Sequence, residues 1–452
     1  MRRRVAPALV GLLLVQCFAV PERGCEDTNG LFVEYHLCMP PAGFSISVAK
    51  LVLDLKRADF DGEGIANDLA GLAYFGEADA PETWDASVLV VQMRKELGTP
   101  QQDELSVPVG TVDVTPVYVG SNRQSLAYAL DDSDGAAAGK IGLILNSDGI
   151  FAAEPVTGPL TNFLAQGCRA PADITTLEAE PVVLVTCERE GAPEATVLFS
   201  RADIGVVDLE QFAATDGTGF YFFGIEQAEI AGVHGTVLFD GDGEAEGMLF
   251  GAAISKPTAG DSNEAQNLEH DKVVVVRVAE LDAGMMPQMP EMAAMATVRL
   301  EDGPIEDLYA GELDGAGTVE LITRHQDRGR LTVLRQEEPG TLAFVIAGEP
   351  LEVPEPYDVA IGDFTGDGAA DIAVAYIDAG VGKLGVFIRA PDDEELVYAL
   401  AEMGGVGSGE LVTAIEALDV DRDDALDLAT AVLVPEVGTE VRVYLNRAAG
   451  PR

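Results

Sequence analysis

Basic residues are scarce. The 452 residues hold 28 Lys and Arg against 77 Asp and Glu, a formal net charge of −49. A chain so poor in cations lacks the face that neutralises a phosphate backbone, which argues against nucleic acid as a partner. Imidazole is scarce too: the four histidines, His36, His234, His270 and His325, share no metal-ligand spacing. No His-Glu-x-x-His, Gly-x-Ser-x-Gly, Gly-Lys-Ser/Thr or Cys-x-x-Cys occurs, so the familiar zinc, serine-hydrolase, phosphate-cradling and thiol-redox motifs are missing. Acid pairs abound, and a carboxylate-based glycosidase or lyase is not excluded by composition. Charged residues make up only 23% of the chain and hydrophobic ones 47%, with a mean hydropathy of +0.15. That is too apolar for an acidic disordered polymer, so a sizeable core is expected. The 49 glycines and single Trp point to many turns.

The one early apolar run, Val5 to Val15, follows Arg2, Arg3 and Arg4 and precedes small residues around Cys17 to Ala19. Basic, apolar and small segments in that order form an export signal, assigned here to residues 1–19. The run is too short to span a bilayer, and no later stretch is long and apolar enough. Cleavage after Ala19 would leave Cys25, Cys38, Cys168 and Cys187. In an oxidising compartment their close spacings favour Cys25 with Cys38 and Cys168 with Cys187. The alternative is a lipid anchor at Cys17, although Gln16 stands where that signal wants a small residue.

The rest of the chain repeats. Ala360-Ile-Gly-Asp363-Phe-Thr365-Gly-Asp367-Gly-Ala-Ala-Asp371-Ile-Ala-Val-Ala-Tyr376 reads as an apolar strand, a tight acidic turn and a second apolar strand. The frame recurs from Ala417 to Thr430, with acids at Asp419, Asp421, Asp423 and Asp427. It recurs again at Asp59, Asp61, Glu63, Asn67 and Asp68, with one extra residue before the closing acid. Weaker copies lie at Glu312-Leu-Asp314 to Glu320 and at Asp240 to Glu246, and degenerate ones at Asp132 to Gly135 and Glu188 to Glu194. Anchored on residues 63, 134, 190, 242, 316, 367 and 423, seven units follow one another at about 60 residues each, a period that belongs to repeat architectures. Strand-rich units of this size are propeller blades, so the expected fold is all-β, a seven-bladed β-propeller of four-stranded antiparallel blades over residues 44–452. In the sixth unit the expected strands are 357–362, 372–377, 384–389 and 395–400. The seventh offers only three, and a segment at 31–37 or 44–48, within or just after an N-terminal stretch of 20–43, would supply the fourth and close the ring. Unrelated β domains sharing Asp-Gly turns are the alternative, but chance turns would not keep acids at both ends of the frame.

The acidic frame followed by Ile or Leu resembles the FG-GAP and VCBS-type repeats, which build the seven-bladed propeller of integrin α chains and many exported bacterial proteins. The resemblance implies Ca²⁺ between the first two strands of a blade. A hard cation wanting six to eight oxygens suits acids at alternate places, with glycine permitting the sharp turn. The ligands it implies are Asp363, Thr365, Asp367, the carbonyl of Ala369 and Asp371 in the sixth unit. In the seventh they are Asp419, Asp421, Asp423, the carbonyl of Ala425 and Asp427. In the first they are Asp59, Asp61 and Glu63, with Asn67 and Asp68 competing for the closing role. Glu312, Asp314 and Glu320 make a weak or empty fifth site. The EF-hand alternative fails because its loop needs flanking helices.

A separate candidate is the run from Met285 to Met295. In a polyproline II conformation Met286, Met289, Met292 and Met295 would share an edge, and thioethers suit Cu(I). Methionines resting against the propeller are the alternative. The leading functional expectation is an exported calcium-binding propeller serving as a protein- or glycan-binding adhesion module. The competing expectations are a propeller enzyme acting on extracellular polysaccharide or phosphoester, and a copper-handling protein.

Overall fold

A computed structural model describes residues 41–75, 85–93, 100–118, 122–130, 140–152, 168–176, 182–189, 194–201, 220–226, 229–239, 245–255, 271–278, 294–300, 304–313, 318–338, 341–366, 368–389, 398–423 and 425–446. Strands between 168 and 255 are described by backbone alone. The expected leader at 1–19, Cys25 and Cys38 lie outside the described residues.

Apolar runs bounded by acidic or glycine turns become strands. Asp371–Asp378 is buried from Asp371 through Tyr376, as a short unbroken apolar run packed on both faces should be. Its hairpin to Val381–Arg389 turns on Ala379 and Gly380, both at positive φ (52° and 77°), with Asp378 paired to Val381. That is the twist-matched two-residue hairpin connection.

Every strand pairing in the described residues is antiparallel, and the molecule is an all-β propeller. The strands form seven sheets of three to five strands plus a two-stranded hairpin at 146–151. The first sheet is built around Asp68–Phe75, Asp85–Gln92 and Gln101–Ser106, with Leu51–Val52 and Lys56–Ala58 beside the first of these. The second comprises Thr111–Tyr118, Gln124–Leu130 and Lys140–Ile144. The third runs from Cys168–Thr176 to Phe220–Glu226, and the fourth from Glu229–Phe239 to Ala294–Leu300. The fifth holds Asp307–Gly311, Glu320–His325 and Arg330–Gln336, and the sixth Pro356–Gly362, Asp371–Asp378, Val381–Arg389 and Tyr398–Gly405. Five of the seven, the first, second, fifth, sixth and last, are described down to their side chains.

The last sheet joins both ends of the described chain. Leu411–Leu418, Asp427–Val434 and Gly438–Tyr444 come from the C-terminal side, and Pro41–Val48 adds the outer strand, with Ile46 opposite Val441. This selects the later of the two segments that the sequence offered for the closing strand. First strands of successive sheets touch, and Leu411–Leu418 touches Lys56–Ala58, so the circuit returns to its start.

One apolar cluster fills each described junction. Val52, Leu69 and Leu89 meet Ala431, Val441 and Val443 between first and last sheets. Phe60, Leu72 and Tyr128 join first to second, and Val374 with Ile322 joins fifth to sixth. The residue after each loop's first acid plugs the next junction: Phe60, Leu313 and Phe364 are each 0% exposed, and Val420 packs between last and first sheets.

Two degenerate copies of the frame do not sit where the repeat requires. Residues 131–139 connect the second and third strands of the second sheet, and 190–193 do the same in the third, whereas the other five copies connect first and second strands. Both had lost the frame's apolar plug, so nothing in them specified the inner corner.

Truncating Phe364 to Ala should cost about 3–5 kcal/mol of unfolding free energy in urea denaturation, since the cavity opens in a sheet junction. A loss below about 1 kcal/mol would contradict the plug.

Candidate functional site

The corner between the first two strands recurs with one hydrogen-bond plan. The closing acid is buried and answered by main-chain N–H groups. Asp68 accepts from Phe60 (2.9 Å) and Met93 (2.7 Å), and Glu320 accepts from Leu313 (2.6 Å). Asp371 accepts from Phe364 (3.0 Å), Thr365 (3.1 Å) and Arg389 (3.0 Å). Asp427 accepts from Val420 (2.8 Å) and Asn446 (2.7 Å). Each of the three aspartates therefore staples its loop to the end of the third strand. Burial pushes Asp68 up to about 6 and Asp427 up to about 7, with the backbone donors opposing the shift.

The first acid organises the turn. Asp363 accepts from Gly366 (2.6 Å) and Gly368 (2.8 Å), and Asp59 accepts from Gly62 (2.8 Å) and Gly64 (2.9 Å). Asp419 accepts from the Asp423 N–H at 3.1 Å.

The last loop brings Asp419, Asp421 and Asp423 together, with one carboxylate oxygen of each within 4.8 Å of the others. Asp419 is half-buried and the other two are exposed, while Ala425 is buried. Three convergent carboxylates at a glycine-poor but sharply turned corner are a donor set that fits a hard cation. In the sixth loop Thr365 Oγ1 lies 3.5 Å from Asp363 and Ala369 is buried, while Asp367 lies outside the described residues. In the fifth, Glu312 is exposed, Glu320 is fully buried, and Asp314 lies outside the described residues. In the first, Asp61 and Glu63 both meet Arg422 from the last loop.

Met286, Met289 and Met292 lie outside the described residues. Met295 belongs to the strand Ala294–Leu300 opposite Val276, so pairing with a neighbouring strand replaces the polyproline geometry expected of it. Cys168 opens its strand opposite Arg189, and Cys187 stands two residues earlier on that adjacent strand. His325 is fully buried, with its ring nitrogens 2.9 Å from Thr323 Oγ1 and from the Pro304 carbonyl.

A second group was missed from sequence. Asp54, Asp307 and Asp358 each stand five residues ahead of a frame's first acid. With Asp113 and Glu416 they lie on or beside the first strands of five sheets, and their charges act on one another across those sheets. Register shifts between Thr111 and Asp113, and between Pro356 and Asp358, re-aim the side chains. Lys56 bridges Asp54 (3.0 Å) and Asp113 (3.1 Å). Tyr309 Oη lies 3.0 Å from both Asp307 and Asp358. One phenolic proton serves only one of them, so the arrangement is satisfied when a carboxyl keeps its proton. Desolvation, then the neighbouring Asp54, pushes Asp358 up to about 8. Desolvation takes Glu416 to about 7 against Arg57, and Asp54 to about 6 against Lys56.

Folded pKa values above the unfolded ones mean that the folded chain binds more protons. This contribution is fully present below the ordinary carboxylate range and is lost as pH rises through about 6 to 8. In calcium-free buffer the melting temperature should therefore rise as pH falls from about 8 to about 5. A melt that drops steadily over that window would refute the assignment.

A sequence model of the FG-GAP-like repeat family matches residues 313–374, from the plug of the fifth sheet's loop through the sixth. No curated protein matches the chain. Among solved structures, the β-propeller domain of the trilobed protease from Pyrococcus furiosus is similar at 7% identity and TM-score 0.42, over 88% of this chain and 96% of that one. A structure from a study of two prolyl endopeptidases is similar at 12% identity and TM-score 0.42, over 89% of this chain and 48% of that one.

Proposed function

We propose that the chain is an exported, calcium-stabilised propeller of seven blades that acts as a binding module for a protein or glycan at or outside the cell surface. The convergence of Asp419, Asp421 and Asp423 carries this reading. Ca²⁺ would sit at the corner between Leu411–Leu418 and Asp427–Val434, adding the Ala425 carbonyl and water to the three carboxylates. Asp363, Thr365, Asp367, Ala369 and Asp371 would hold a second ion. The ions' role is structural: they neutralise carboxylates that would otherwise splay the turn. Seven sheets touching in sequence support the blade count. The Arg2–Arg4 and Val5–Val15 leader supports export, with a lipid anchor at Cys17 as the alternative ending. Among the described residues no helix is long and apolar enough to cross a membrane. A disulfide between Cys168 and Cys187 rests on their spacing in the sequence, since on the adjacent strands they stand two residues out of register.

Saturating Ca²⁺ at about 100 times its dissociation constant stabilises a fold by about 2.7 kcal/mol per site. EDTA should therefore lower the melting temperature by several degrees, and Asp419→Ala should reproduce part of that loss. A melt indifferent to both would remove the calcium. Binding is then sought on glycan and protein arrays.

The inner acids favour a second reading, an enzyme acting on extracellular polysaccharide or phosphoester, because a protonated carboxyl beside ionised ones is the arrangement of a general acid. Under that reading Asp358→Asn abolishes hydrolysis in a substrate screen while the fold still melts cooperatively. Hydrolysis that survives the substitution would dismiss it.

A further inference from the structure

We infer that the guanidinium of Arg422, rather than a metal ion, is the cation of the first sheet's acidic loop, and that it latches the last sheet onto the first. Arg422 reaches out of its own loop and is 8% exposed at the side chain. Its Nη2 lies 3.2 Å from Asp61 Oδ2 and 3.5 Å from the Met93 carbonyl, and its Nη1 pairs with Glu63. The Asn67 side-chain oxygen, in its hydrogen-bonded orientation, accepts from Nε at 2.8 Å and Nη2 at 3.1 Å. Asn67 belongs to the stretch lengthened by the extra residue that sets this loop apart from the sixth, so the insertion and the arginine answer each other.

The first and closing acids of this loop take main-chain amides just as they do in the sixth and last loops. Asp59 holds Gly62 and Gly64, and Asp68 holds Phe60 and Met93. What sets this loop apart is that its middle acids, Asp61 and Glu63, are paired to a guanidinium, so the charge a hard ion would neutralise is already answered.

The backbone of Arg422 supplies a second, independent indication. It stands three residues after Asp419, where the other two strong copies place Gly62 and Gly366 after Asp59 and Asp363. Those glycines have φ of 74°, and Arg422 is held at 61°. A side chain in that left-handed region is strained and persists where its contacts over-determine it. The frame has given up its glycine at the one corner whose side chain can reach the neighbouring loop across the ring's closing junction.

The inference concerns the first loop and does not rest on calcium in the last one. Its test compares the full mature chain with Arg422→Gly and Arg422→Ala by calcium titration calorimetry, and by melting in EDTA. Arg422→Gly restores the residue that the backbone prefers. If the side chain does nothing, that variant melts higher, and such a rise overturns the latch. The expected result is a fall of about 2–4 °C in EDTA for both variants. In calcium, both should bind one more ion per chain than the wild type, and Asp59→Asn should remove that extra ion only in the Arg422 variants. An unchanged stoichiometry, or a wild type that already loses an ion on Asp59→Asn, overturns the substitution of arginine for metal. If neither wild type nor Asp419→Ala takes up calcium, the calcium reading of the last loop fails separately, while the EDTA melts still decide the latch.

Discussion

A carboxylate withdrawn from water and answered by main-chain N–H groups is the constraint on which the corners of this molecule depend. Asp68, Asp371 and Asp427 each reach two places distant along the chain: the residue after the loop's first acid, and a residue at the end of the third strand or within two residues beyond it. An anion can accept several such bonds at once, and in a buried site each is stronger than its counterpart in water. Once the closing acid is fixed, the plug residue has one place to go, into the junction with the following sheet. The remaining acids are left on the outer side of the turn, available to a cation. Local turn geometry, junction packing and the ion-ready rim thus follow from a single buried group.

Much of this was legible. The repeat reads directly from Asp363 to Asp371 and Asp419 to Asp427, because a turn that must hold the same anion in the same pocket tolerates little variation. The strands at 356–362 and 371–378 begin and end within a residue of the expected limits, since apolar runs meet acids there abruptly, whereas the outer strand expected at 395–400 runs from 398 to 405, where no acid marks its end. The closing strand was legible only as a choice, because a strand that pairs across almost the whole chain carries no local mark of its partner. The copies at Asp132 and Glu188 misled because acidic turns arise at any hairpin, and only the apolar plug distinguishes the inner corner. The inner acids went unread although Asp54, Asp307 and Asp358 keep a constant offset from the frame. Their meaning lies in which strands converge, and that is a tertiary fact.

Charge is handled differently at the two levels of the ring. Near the axis, acids crowd together and are kept compatible by Lys56, Arg324, Tyr309 and retained protons. At the corners, backbone amides, an arginine and the proposed ions take that role. A chain of net charge −49 cannot leave such a concentration of carboxylates unanswered, and the few cations it has are placed where anions from different sheets meet.

The strand at Pro41–Val48 leaves the ribosome about 390 residues before its hydrogen-bonding partner at Gly438–Tyr444. Until that partner arrives, both carry unpaired edges, and contacts so remote in sequence form slowly. An immature chain would thus spend its longest-lived intermediate as an open arc with two adhesive ends, and mutual electrostatic repulsion between arcs is what would keep nascent copies from stitching to one another.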